Sequence, residues 1–410
     1  MKLSPEIRRI FLARSLRGMG DGCAAVLVPV YLLELGFGPG EVGAISSVML
    51  LGAALMLLLL GTAGHAISLR TSLVVTSGLI VLTGVNFALF QSFGALMIAA
   101  LIGTINPSGG DNNVFRPLEQ TFIARVVQQS GQTAAFAYYS FLGLIVAGVG
   151  AYLAGLPDWL APVAERTTVA RVMFLGYAAL GLASLLIYLR LDRDLPDSGL
   201  QKARPLRASR RRVGWLTSLL TLDALGGGFL LNSVLVLWLS QRFGASAGTA
   251  GTIFFANAVC SAISLLVAPY VAHRFGLVRT IVSTQALANV FIVAAALAPS
   301  LEIAALCLVL RSMTTQMDVP ARASYLMAIV TPDERAAAAA FATVPFLLAA
   351  ACGPVLAGFL MQMSDFAWPL IIGAGLKIIY DVLFYCLADR IATLPRDGEH
   401  VGAEEPAPHR

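Results

Sequence analysis

Charge is scarce in this sequence. Of 410 residues only 12% are Asp, Glu, Lys or Arg while 58% are hydrophobic, which leaves too few polar side chains to cover a water-soluble surface. Histidine is rarer, four in all. His65 and His273 stand at the edges of apolar runs in different halves, without HExxH-type spacing, which counts against a metal-dependent membrane enzyme. No Walker-type phosphate loop occurs, so nucleotide hydrolysis is not the expected source of work. The five cysteines (Cys23, Cys260, Cys307, Cys352 and Cys386) are scattered through apolar segments without a CxxC pair and read as packing residues. No cofactor is therefore expected. Also lacking is the period-two alternation over about ten residues that marks an outer-membrane barrel.

What the chain does have is apolar length. Runs such as 48–60, 175–191 and 292–310 approach or reach the roughly 20 residues that carry a helix across a bilayer. Twelve such helices are read at 9–36, 41–64, 70–92, 95–127, 131–155, 168–190, 214–243, 247–273, 278–298, 301–330, 336–362 and 367–390. The expected fold class is an all-α polytopic membrane protein. The net charge is +5, and the basic residues sit at helix ends. Lys2, Arg8, Arg9, Arg70, Arg125, Lys202, Arg210, Arg211, Arg212, Arg274, Arg279, Arg335 and Arg390 fall on the side that holds both termini. The opposite loops carry only Arg166, Arg171 and Arg242. The positive-inside rule then places both termini in the cytoplasm and the chain in the cell (inner) membrane. Membrane lipid is an expected partner and nucleic acid is not.

The one long polar interval, 191–213, reads as a basic cytoplasmic linker. It divides a bundle over 1–190 from a second over 214–392, with a cytoplasmic tail over 393–410. The first span carries Arg14, Arg17 and Asp21 without a clear small-residue cleavage site and is expected to be retained. The tail is too short for a soluble sensor domain. Displacing the sequence by 208 positions superimposes Gly18, Gly20, Gly36, Gly40 and Gly43 on Gly226, Gly228, Gly244, Gly248 and Gly251, and His65 on His273. After a slip of two or three positions, Arg116 meets Arg322 and Gly148 meets Gly353. Matching glycines mark turns or close approaches that both halves need, so the chain reads as a duplicated six-helix unit.

With these features the chain resembles the major facilitator superfamily (MFS), whose members join two six-helix bundles by a basic cytoplasmic loop. The family's signature between helices two and three corresponds to Gly61-Thr-Ala-Gly-His65-Ala-Ile-Ser-Leu-Arg70. Histidine replaces the expected acid and Ser68 replaces a glycine, while the second copy, from Pro269 to Arg279, keeps Gly276. The resemblance implies two pseudo-symmetric bundles, alternating-access secondary transport, and a cavity lined by helices one, four, seven and ten. It also implies gating roles for His65, Arg70, His273 and Arg274, with Asp223 as a further gate candidate near the cytoplasmic end of helix seven. The glycine-proline motif of drug exporters is half present: Gly353-Pro354 occurs in helix eleven, and residues 143–155 have glycines alone.

Ionisable groups at bilayer depth cost about 2.5–3.5 kcal/mol each on insertion scales and so need a partner, a wet cavity or a role. Arg14, Arg17 and Asp21 share a face of helix one, and Arg17 and Asp21 can pair one turn apart. Helix four carries Asp111, Asn112, Asn113, Arg116 and Glu119 in a stretch rich in Gly and Pro, incompatible with a straight lipid-facing helix. Helix seven has Asp223, three successive glycines and Asn232. Helix ten places Arg311, Thr314, Thr315, Asp318, Arg322 and Tyr325 on one stripe, bent by Pro320. Lys377 and Asp381 read as a structural pair on helix twelve. Arg17, Asp21, Asp111, Asn112, Asn113, Arg116, Glu119, Arg311, Asp318, Arg322 and Tyr325 are therefore the candidates for binding substrate or coupling protons.

The functional expectation is a secondary transporter, acting as a monomer, that moves a small organic solute with H+. The arginines favour an anionic or strongly polar group. A cationic drug exported against protons, or a flat heterocycle stacked on Phe115, Tyr138, Tyr139 or Tyr325, is the alternative.

Overall fold

A computed structural model describes residues 4–63, 68–103, 105–109, 114–191, 209–331 and 334–393. The linker segment 192–208 and the tail from 394 lie outside the described residues. Among those described there are sixteen α-helices and no strand. The first half comprises α1 (Pro5–Glu34), α2 (Pro39–Ala63), α3 (Leu69–Leu89), α4 (Phe93–Ile102), α5 (Phe115–Val126), α6 (Gln129–Leu153), α7 (Leu156–Trp159) and α8 (Arg166–Leu189). The second comprises α9 (Arg210–Gly228), α10 (Asn232–Phe243), α11 (Ala247–Phe275), α12 (Leu277–Ala296), α13 (Leu301–Thr315), α14 (Asp318–Ile329), α15 (Arg335–Met363) and α16 (Trp368–Thr393).

These make twelve spans in two six-span bundles, because the short α7 does not cross and three spans are broken: the fourth into α4 and α5, the seventh into α9 and α10, the tenth into α13 and α14. Eight unbroken helices, together with the segment Ala134–Trp159 that joins α6 to α7 and the segment Arg210–Phe243 that holds the seventh span, are long and apolar enough to cross a membrane. The two spans that fail this test are the fourth and tenth, where the sequence concentrates charge. Local chemistry explains one break directly. Pro320 has no N–H, and its ring would collide with the carbonyl four residues earlier, at Gln316, where α13 ends. The fourth span is interrupted at Gly103 and again through Pro107, Ser108 and Gly109, the last with φ of 62°. In the seventh, the triple glycine leads into Phe229, and α10 starts afresh at Asn232.

Serine caps fix other starts: Ser4 accepts from Ile7 N at 3.3 Å, Ser68 from Thr71 N at 3.1 Å, and Ser246 from Thr249 N at 3.3 Å. Gly36 and Gly244, equivalent in the duplication, both turn with positive φ, 88° and 64°, a conformation that L side chains resist. Large apolar side chains such as Leu59, Leu82 and Val290 point outward, as lipid rather than water requires.

The halves meet along two symmetry-related seams, α2 against α15 and α6 against α11. Gly43 packs against the Pro354 carbonyl in one seam and Gly251 against the Ala151 carbonyl in the other, so close that a Cβ on either glycine would overlap the oxygen. Both glycines lie near the face opposite the termini, hereafter the distal face. There, Asp158 of α7 accepts the Gly248 N–H in the first turn of α11 at 2.7 Å, which places an anion at a helix N-terminus. Further in, Ser47 of α2 accepts the Val355 N–H at 2.9 Å, at the turn loosened by Pro354.

Candidate functional site

The three broken spans converge where the halves face each other. The Pro107 carbonyl, at the break in the fourth span, accepts the Ser233 N–H in the first turn of α10 at 3.1 Å, so one break satisfies the backbone that the other exposes. Beside them lies a cavity of about 260 Å³ lined from both halves. Its polar side chains are Ser108, Asn232, Asn257, Ser261, Arg311, Ser312, Thr315 and Gln316. A smaller chamber of about 150 Å³ shares Ser108 and Leu231 with it and is lined by Asp223, Arg322 and Lys377.

In the first half the charges close upon themselves. Arg17 and Glu119 form an ion pair with both side chains fully buried. Tyr139 and Tyr188 each donate to Glu119 at 2.5 Å, and Arg17 also donates to the Tyr188 hydroxyl at 3.2 Å. The Arg17 guanidinium lies 3.7 Å from the Phe115 ring centroid, and Arg14 stacks over Tyr139. The pairing differs from the one that spacing suggests. Arg17 reaches Glu119 on α5 rather than Asp21 one turn along α1, because the wall of α5, α6 and α8 gives Glu119 two phenols as well. Glu119 is thereby directed away from Arg116, which lies partly buried on α5. Asp21 is buried and accepts from Tyr177 at 3.4 Å.

The second half arranges its charges at the chamber wall. Asp223 accepts from Arg322 at 2.5 Å and from Lys377, and Arg322 also bridges to Asp318. Gln285 donates to Asp318 at 2.8 Å and Asn289 to Asp381 at 2.9 Å. Lys377 thus pairs across to α9 rather than along its own helix with Asp381. The Asp318 Oδ1, Asp381 Oδ1 and Tyr380 hydroxyl have no partner among the described residues.

The remaining candidates separate. Arg311 alone of the charged ones lines the larger cavity. Tyr325 is turned away: it is buried, donates to the Ala388 carbonyl at 2.7 Å, and packs edge-on against Phe384. Phe115 and Tyr139 belong to the buried Arg17 cluster, and Tyr138 is exposed beside Phe11. Arg70 donates to the Tyr188 and Leu189 carbonyls at the end of α8, the bonding expected of a cation at a helix C-terminus. His273 and Arg274 are exposed in the last turn of α11, with Arg274 donating to Tyr270 at 3.4 Å. His65, Asp111, Asn112 and Asn113 lie outside the described residues.

Sequence spacing alone missed Tyr188, Asn257, Asp158 and the cross-helix role of Lys377. Only Lys377 carried a usable signal, an isolated intramembrane cation that needs a partner.

A family model described as the Major Facilitator Superfamily matches residues 10–222 and again 217–408. An uncharacterized membrane protein of Saccharomyces cerevisiae is 24% identical, with 94% of each chain covered. Solved structures share the fold at low identity. A point mutant of the nucleoside transporter NupG superimposes with a TM-score of 0.75 at 16% identity, covering 93% of this chain and 99% of its own. A bacterial homologue of the human lysosomal transporter Spinster, inward-facing and occupied, gives 0.73 at 17%, covering 94% and 96%. The inward-open xylose transporter XylE from E. coli gives 0.73 at 14%, covering 96% and 97%.

Proposed function

The chain belongs to the major facilitator superfamily, and from that premise we propose that it is a proton-coupled secondary transporter moving a small organic solute across the cell membrane by alternating access. The observation that carries this reading is the cavity shared by both halves at the broken fourth, seventh and tenth spans. Irregular backbone at membrane depth is tolerated where it lines such a space, and interrupted helices there serve as binding and hinge elements. Two bundles, over 1–190 and 214–392 and joined by the linker at 191–213, rock about this midplane site.

The basic residues at the terminal face support a cytoplasmic location for both termini under the positive-inside rule. The distal face, closed by Gly43, Gly251 and the Asp158 bond, is then the outer gate, and the conformation faces inward. Opening it requires parting both glycine seams together.

Charge balance supports coupling to protons. The cluster of Asp223, Asp318, Asp381, Arg322 and Lys377 holds three acids against two bases, so one acid has no base to answer it. Asp318 and Asp381 each keep a carboxylate oxygen without a partner. A proton taken up there restores neutrality, and its release to the other side as the bundles move would drive the solute.

The test is a solute screen in proteoliposomes with and without an imposed pH gradient, on the wild type and Asp381→Asn. The wild type should accumulate solute when the gradient is applied. Asp381→Asn should retain solute exchange and lose accumulation. Uptake by the wild type that ignores the gradient would end the proton reading, and accumulation unchanged in Asp381→Asn would move the proton off that residue.

A further inference from the structure

We propose that the solute is a small organic anion, a carboxylate or phosphate that also carries a hydrogen-bond donor, and that the Arg311 guanidinium is its anchor. This rests on the transport reading above for the word solute; the anion site itself rests on the cavity.

Arg311 is partly buried on α13 at the wall of the cavity, and neither a hydrogen bond nor an ion pair engages it among the described residues. Every other charge that lines the two adjoining chambers is answered: Asp223 by Arg322 and Lys377, and Arg322 also by Asp318. An unanswered guanidinium at bilayer depth is costly, and it offers five N–H donors in a fork that fits a carboxylate or phosphate.

The rest of the lining suits a ligand that carries a hydrogen-bond donor beside its anionic group. Ser261, Ser312 and Thr315 donate their hydroxyl protons to the carbonyls of Ser312, Val309 and Ser312, so they present only lone pairs inward. The donors on the lining that no described residue engages are Arg311 and the amides of Asn232, Asn257 and Gln316. The α10 helix also begins at the cavity, with Leu230, Leu231 and Asn232 in its wall and no side-chain cap at Leu231, and a helix N-terminus favours negative charge. Asn257 completes the set. It is buried, and its Oδ1 has no partner, which fits a hydroxyl or N–H on the bound molecule. The cavity volume of about 260 Å³ holds a molecule of a few carbons or a single ring, not a bulky amphiphile.

The test uses matched probes on the purified full-length chain: benzoate, mandelate and glycerol 3-phosphate against benzamide, mandelamide and glycerol. A ligand that binds the folded state raises its thermal stability. At millimolar concentration at least one anion should stabilise the wild type while its neutral partner does not. Arg311→Gln should weaken that anion's apparent affinity by about 10- to 100-fold, and Arg311→Lys should recover part of it. Because no hydrogen bond or ion pair among the described residues engages the Arg311 side chain, the unliganded Arg311→Gln protein should melt no lower than the wild type.

Neutral partners stabilising as well as the anions, no anion stabilising at all, or an unaltered response in Arg311→Gln would each overturn the proposal. The two readings separate in liposomes. An Arg311-dependent anion that binds but never crosses removes transport and keeps the site. Flux of a neutral solute that is indifferent to Arg311 removes the site and keeps transport.

Discussion

Arg17 in the first half and Arg322 in the second are each bound to an acid on another helix, yet their surroundings differ. Arg17 and Glu119 are sealed by Tyr139, Tyr188 and Phe115, with neither side chain exposed. Arg322 remains 20% exposed and faces a chamber with Asp223 and Lys377. Among the described residues, the duplicated unit has therefore diverged into a half whose central ion pair is sealed inside the protein and a half whose ion pairs border a chamber. A pair with no access to water holds its helices together. A cluster with one surplus acid at a chamber wall can exchange a proton. The division we propose puts rigidity in α1, α5, α6 and α8, and chemistry in α9, α13, α14 and α16.

The sharpest way to break this contrast is to remove the acid from the sealed knot. Glu119→Ala leaves the Arg17 guanidinium buried without its ion-pair partner and strips two phenols of their acceptor. Breaking a buried pair from one side costs about 3–5 kcal/mol. Thermal unfolding of the detergent-purified protein should show a large loss, with much less material surviving solubilisation. Replacing both partners, Arg17→Met with Glu119→Leu, should recover most of it, because no charge is then stranded. If Glu119→Ala melts like the wild type, the first half is not held by this knot.

The corresponding removal in the second half should be milder for stability and harsher for function. Lys377→Met leaves Asp223 with Arg322, so one charge-assisted hydrogen bond is lost at about 1.5–3 kcal/mol. The cluster then has three acids to one base, and gradient-driven accumulation in proteoliposomes should fall well before the protein becomes hard to purify. A variant that loses stability as badly as Glu119→Ala while keeping full coupling would reverse the proposed division between the halves.

Much of this architecture was legible in the sequence, and the reason is geometric. The displacement that matched Gly43 to Gly251 and Gly36 to Gly244 found positions where backbone meets backbone or φ turns positive, constraints that only glycine meets. The breaks in the fourth and tenth spans were likewise announced by proline, glycine and charge. The partners of the charges were not legible. Spacing along a helix proposes neighbours three or four residues apart, which linked Arg17 to Asp21 and Lys377 to Asp381. The structure instead pairs Arg17 with Glu119 and Lys377 with Asp223, across helices that approach only after folding. Asn257, a single amide in an apolar helix, gave no signal until the cavity placed it beside Arg311.

The smallest expected effect concerns Tyr325, which shares the polar stripe of the tenth span with Arg311, Asp318 and Arg322. A continuous helix would carry all four along one wall of the path. The break before Asp318 ends that continuity, and Tyr325 instead donates to the Ala388 carbonyl and packs on Phe384. Tyr325→Phe keeps the ring and removes one buried hydrogen bond, so stability should fall by about 0.5–1.5 kcal/mol. Solute affinity and gradient response should match the wild type, whereas Arg311→Gln, about one turn before the break, should alter affinity without lowering stability. Measuring both variants side by side separates residues that line the path from residues that share its stripe only in sequence. A selective loss of affinity in Tyr325→Phe would return the tyrosine to the site and imply that α14 turns toward the cavity during transport.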